Sequence, residues 1–69
     1  MRVQVEAYLK QYGEWFRYKK LSVGMSQLAV ATQIGVSQAI ISHIETGHML
    51  PPIELELELS NLYERMTKQ

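Results

Sequence analysis

The chain has 69 residues, is 46% hydrophobic and contains no cysteine, which bounds it to one domain near the lower limit for independent folding. Without cysteine, neither disulfides nor a thiolate metal site can staple it, so its stability must come from tightly packed helices or from an oligomer. Seven basic residues balance seven acidic ones, whereas nucleic-acid binders are usually basic because neutralised phosphates supply much of their affinity.

No apolar run approaches the roughly 20 residues needed to span a bilayer. The opening MRVQVEAYLK lacks the apolar stretch of a signal peptide. The expectation is a soluble, cytoplasmic protein with no membrane contact. No repeat, linker or low-complexity segment divides the chain.

The first segment, Arg2 to Val23, places Val5, Leu9, Tyr12 and Phe16 at spacings that form one helical face. The spacing predicts a helix over about 3–22. Val3 and Val5 alternate with polar residues, so an extended arm is the alternative for the first turn. Gly13 interrupts the pattern and weakens a helix by about 1 kcal/mol relative to Ala, which marks a kink or a close approach by a neighbouring element. Arg17, Lys19 and Lys20 gather near the helix C-terminus. There they complement the helix dipole or make a phosphate-contacting cluster; this segment alone does not decide between them.

Met25 to Gly47, MSQLAVATQIGVSQAIISHIETG, holds two short amphipathic segments hinged on Gly35. Two helices that cross steeply over a short turn need a small residue at the crossing and a turn residue that tolerates positive φ. Counting from Gln27, Ala31 stands fifth and Gly35 ninth. Val30, Ile34 and Val36 are apolar around the turn, as are Ile41 and Ile44 in the second helix. Ser26 and Ser37 stand where N-caps belong, and Gly47 is a C-terminal stop. Each feature alone is weak, but together they predict a helix-turn-helix with helices over about 27–33 and 38–45. No Lys or Arg lies between Leu21 and Glu64.

These residues resemble the lambda-repressor-like, Cro-type (xenobiotic-response-element) helix-turn-helix domains. The matching stretches are Gly24–Gln27, Val30–Ala31, Ile34–Gln38, Ile41–Ser42 and Ile44–Glu45, with Gly47 and Pro51; Phe16–Arg17 and Lys19–Lys20 fit the family's basic first helix. The resemblance covers about Phe16 to Tyr63. It implies an all-α, compact four- to five-helix domain binding double-stranded DNA, with a recognition helix in the major groove and a role as a repressor-type regulator. It implies base contacts from Gln38, Ala39, Ser42 and His43, with Gln38 suited to adenine because an amide both donates and accepts. It implies phosphate contacts from Gln27, Ser37 and Thr46 and from Arg17, Lys19 and Lys20, with Gln27 also bracing Gln38. Glu45 resembles a glutamate that pairs with a first-helix cation, here Lys20. The chain departs from the pattern at Leu28 and Ala29, where charged residues are usual, and at His48-Met49-Leu50, where the loop is often basic. With so few cations, DNA affinity per domain is expected to be modest and its salt slope shallow.

The last segment contains PPIELELEL, whose strict alternation is a strand template. A helix over about 52–66 is favoured instead. Pro52 suits a first helical position, Glu54 and Glu56 lie at the N-terminus, and Arg65 and Lys68 lie at the C-terminus. Leu55, Leu59, Leu62 and Met66 form an apolar stripe, expected to serve in part as a homodimer or partner interface, unless the aromatic side chains of the first helix bury it. The alternative function is therefore a protein-interaction module, an antirepressor or accessory subunit. His43 and His48, with no cysteine or convergent carboxylates, make no metal site. Ser26 and Ser37 are caps rather than nucleophiles, and no glycine-rich phosphate loop is present. The chain is expected to be no enzyme and to bind no cofactor or small-molecule ligand.

Overall fold

A computed structural model of the protein describes residues 2–67, with side chains described from Glu6 onward. The placement of Arg2 and Val5 side chains, and of Lys68, lies outside the described residues. Four helices are described: α1 (Arg2–Ser22), α2 (Gln27–Ile34), α3 (Gln38–Glu45) and α4 (Ile53–Thr67). The fold is all-α and compact, with no strand among the described residues.

Both ambiguous segments are helical. The backbone is helical from Arg2, so the first turn is not an extended arm. The alternating stretch also folds as helix. Its Leu and Glu residues are strong helix formers. Glu54 and Glu56 sit in its first turn and Arg65 in its last, as the dipole favours. Pro52 stands just outside α4, where its carbonyl accepts the Glu56 N–H at 2.9 Å.

Every helix contributes to one core of Phe16, Val30, Ala31, Ile41, Ile44, Leu59, Leu62 and Tyr63. Phe16 is its aromatic centre. Its ring lies 4.8 Å from Trp15 edge-on, 5.0 Å from Tyr12 and 6.3 Å from Tyr63. The Tyr12 phenol of α1 lies beside the Glu56 carboxylate of α4 and is polarised toward it. Loss of solvent and that neighbouring carboxylate together hold the Tyr12 phenol well above its usual range. Tyr63 is raised in the same sense, first by burial and then by the charge of Glu45.

The stripe assigned above to an interface faces inward. Leu59 and Leu62 are only 2% and 3% exposed, and Leu55 and Met66 pack half-buried against the core. The aromatic rings of α1 and the residues of α2 already cover this face, which leaves no leucine stripe for a partner. The exposed apolar residues of this region are instead Leu50, Ile53 and Leu57.

Gly13 resolves as a close approach. It is buried where α1 crosses the end of α3. A Cβ there would overlap the Ile44 carbonyl oxygen and lie 2.8 Å from that of Glu45. The cost of glycine in a helix, about 1 kcal/mol, is thus offset by backbone-to-backbone packing that no side chain would permit.

Candidate nucleic-acid interface

The helix-turn-helix is set by its caps. Ala29 N–H donates to Ser26 Oγ at 3.0 Å and starts α2; Ile40 N–H donates to Ser37 Oγ at 3.3 Å and starts α3. Between them Gly35 takes φ +87°. From that conformation the Gly35 and Val36 N–H groups both reach the Ala31 carbonyl, at 2.8 and 3.0 Å. Val30 and Ala31 are buried at the crossing, so α2 lies directly against α3. At the far end of α3, Gly47 has φ +80°. Its N–H donates to the Ile44 carbonyl at 3.2 Å, and the His48 N–H donates to the His43 carbonyl at 2.8 Å. Those two bonds make a Schellman termination.

One carboxylate joins three helices. Lys20 Nζ of α1 and Gln27 Nε2 of α2 both donate to Glu45 Oε1 of α3, at 2.8 and 3.0 Å. Lys20 and Glu45 are each only 6% exposed. The second oxygen, Oε2, is buried without a hydrogen-bond partner. Removing one member of a buried pair is far costlier than removing both. The pair therefore fixes how α3 stands on α1 and α2.

The opposite face of α3 points away from this core. Gln38, Ala39 and His43 are exposed, and Ser42 is half-buried. They follow one another around a helix of only eight residues, about 12 Å long at 1.5 Å per residue, a length that fits a major groove. Each end of this face is flanked by exposed hydroxyls, Ser37 and Thr46.

A helix-turn-helix family model matches residues 16–65. The chain belongs to the Cro/C1-type helix-turn-helix family. No curated protein and no solved structure matches it. Membership makes it a DNA-binding regulator of the helix-turn-helix type, in a family that is regulatory rather than enzymatic. Among the described residues no helix is long and apolar enough to cross a membrane.

Within this helix-turn-helix domain the expected site residues divide. Gln38, Ala39, Ser42 and His43 share the outward face of α3, and Ser37 is exposed at its start. Arg17 is exposed on α1; Lys19 is half-buried, its ammonium 5.5 Å from the centre of the Trp15 ring. Three expectations need correction. Lys20 is not a surface cation, because its ammonium is buried on Glu45. Gln27 does not brace Gln38; one of its two amide N–H groups donates to Glu45 instead, leaving the second N–H and the carbonyl oxygen for other partners. Thr46 already donates its hydroxyl proton to the Ser42 carbonyl, at 2.8 Å. Sequence reasoning missed a contact at the same end: Thr46 Oγ1 lies 2.7 Å from His48 Nδ1. The spacing T-G-H after a helix stop was the available signal, since a Schellman turn folds that histidine back over the last turn.

Proposed function

We propose that this domain is a sequence-specific, repressor-type regulator that reads a short operator with Gln38, Ala39, Ser42 and His43 in the major groove. One observation carries the reading: these side chains form the outward face of a helix whose inner face is locked by Glu45, Ile41 and Ile44. Gln38, at the first helical position, is suited to bond adenine bidentately, and the Ala39 methyl suits a thymine methyl. The Ser37 hydroxyl and the Arg17 and Lys19 cations are the phosphate contacts that set its register. Occupying the groove excludes other proteins from the same stretch, which is the simplest regulatory outcome of binding. Selection of bound duplexes from randomised DNA at low salt tests it. An enriched motif with adenine opposite Gln38 supports the reading, and failure to retain any duplex refutes it for this chain alone.

A second reading, a protein-interaction module, is favoured by a different surface. Ile53 and Leu57 of α4 are 64% and 55% exposed, with the exposed carboxylates Glu54 and Glu58 beside them. Acidic groups near an operator repel phosphate, so this surface suits an antirepressor or accessory subunit better than a DNA reader. A Leu57→Asp variant that still folds and still selects its DNA, but no longer captures a partner, would assign the two surfaces separate roles.

A further inference from the structure

The helix-turn-helix itself carries no fixed cation: α2, α3 and the loop to α4 contain no Lys or Arg, and the cations assigned to phosphate lie on α1. It does carry two imidazoles. His43 and His48 are both exposed, and their ring centres stand 5.9 Å apart. The Schellman turn brings them together, because the bond from His48 N–H to the His43 carbonyl folds the loop back over the last turn of α3.

Thr46 orders the second ring. Its hydroxyl has one proton, and that proton goes to the Ser42 carbonyl at 2.8 Å. The 2.7 Å contact to His48 Nδ1 is therefore satisfied when Nδ1 donates and Oγ1 accepts. In the neutral ring the open lone pair is then on Nε2. Taking up a proton at Nε2 adds a charge and a donor without breaking either bond, so the turn accommodates both states.

We propose that DNA binding by this domain is coupled to proton uptake at His43 and His48, so that affinity rises as pH falls. Imidazole changes charge between about pH 5 and 8, and a phosphate nearby favours the charged form. The sign follows: protonation is favoured in the complex over the free protein, so the gain in affinity is present at low pH and lost as pH rises. Among the surrounding charges, Lys10 of α1 packs its backbone and Cγ against Gly47, next to His48 in the chain. Glu6 and Glu14 stand about one helical turn to either side of Lys10, with Arg17 beyond. α2 has no charged residue, Glu45 is engaged by Lys20, and Glu56 of α4 lies beside Tyr12. The inference rests on the DNA-reading role of α3.

The test measures affinity for a short duplex of randomised sequence at fixed ionic strength, across about pH 5 to 8. Wild type is compared with His43→Gln, His48→Gln and the double variant, and circular dichroism establishes that each is folded. Wild type should bind roughly tenfold more tightly at the acid end, the scale expected of two exposed ion pairs, and the double variant should lose most of that dependence. Calorimetric titration of wild type in two buffers of different ionisation heat should show net proton uptake. Binding that is independent of pH, or a full pH dependence in the double variant, overturns the coupling and leaves the DNA reading intact. Absence of binding throughout the range overturns the DNA reading itself, and the coupling with it.

Discussion

The two faces of α3 are built by opposite rules. The inner face is buried, apolar and locked by a single carboxylate that holds Lys20 and Gln27 at once. The outer face is exposed, polar and without a fixed charge, and among its side chains the hydroxyls of Ser37 and Thr46 are engaged within the turns. A helix of eight residues has little intrinsic stability, so the inner face must hold it in place. That leaves the outer residues free to be chosen for recognition alone. Substitutions on the first face should therefore act on folding, and those on the second on selectivity.

The largest effect is expected from Glu45→Ala. It would leave the Lys20 ammonium buried without a counter-charge, a change that costs about 3–5 kcal/mol. That is much of the stability of a domain this small. Chemical denaturation should show a loss of that size for Glu45→Ala. A Lys20→Met/Glu45→Leu double variant should recover most of it. If the single variant were as stable as wild type, the carboxylate would not be what locks the inner face.

Next comes Gly13→Ala. An added methyl gains about 1 kcal/mol of helix propensity but is driven into the Ile44 and Glu45 carbonyls. Overpacking of this kind costs about 1–3 kcal/mol, and here the obstacle is backbone that cannot rotate away. The net expectation is a lower thermal midpoint. A rise would show that α1 and α3 slide apart easily, and that the inner face is less rigid than the comparison holds.

On the outer face, Gln38→Ala should leave stability within about 0.5 kcal/mol. Its effect should appear in discrimination between operator and non-operator duplex, worth about 1–3 kcal/mol for a bidentate contact. Equal weakening on every sequence would make Gln38 a backbone contact.

The inner face was more legible in the sequence than the outer one, and the reason is physical. Ala31, Gly35, Ile41 and Ile44 are constrained by steric and apolar requirements that have few solutions, so their spacing pointed to a turn at Gly35 between two short helices. Gly13 was ambiguous because a kink and a close approach both call for glycine; only the position of α3 decides. Lys20 and Gln27 were misassigned in part because a polar side chain has no period that tells a buried partner from a phosphate. The leucines of α4 were misread for the converse reason. An apolar stripe shows that something covers it, but not whether the cover comes from the same chain, as the rings of Phe16 and Tyr63 show here.

Alkaline titration probes the inner face by another route. Tyr12 and Tyr63 both hold their protons more tightly when folded than the ordinary phenol value of 10.0. The contribution to stability is complete below that pH, where both states are protonated. Above it the unfolded chain ionises first, and stability falls. The denaturation midpoint should stay level to about pH 10 and then decline, less steeply in Tyr63→Phe. An unchanged decline would place the sensitivity elsewhere.

The smallest effect is expected from the cations that remain at the surface. With Lys20 buried, Arg17 and Lys19 are the described cations of the expected phosphate cluster still free to meet DNA, and Lys19 is partly held by the Trp15 ring. Each phosphate contact contributes about one unit to the dependence of log affinity on log salt. Arg17→Gln should therefore lower that slope by about one unit, and Lys19→Gln by no more. Neither should alter which sequence is selected, because phosphate contacts carry no base information. Should Lys19→Gln change the selected sequence instead, the separation between a folding face and a reading face would have to extend to α1, with Trp15 and Lys19 counted as part of the reader.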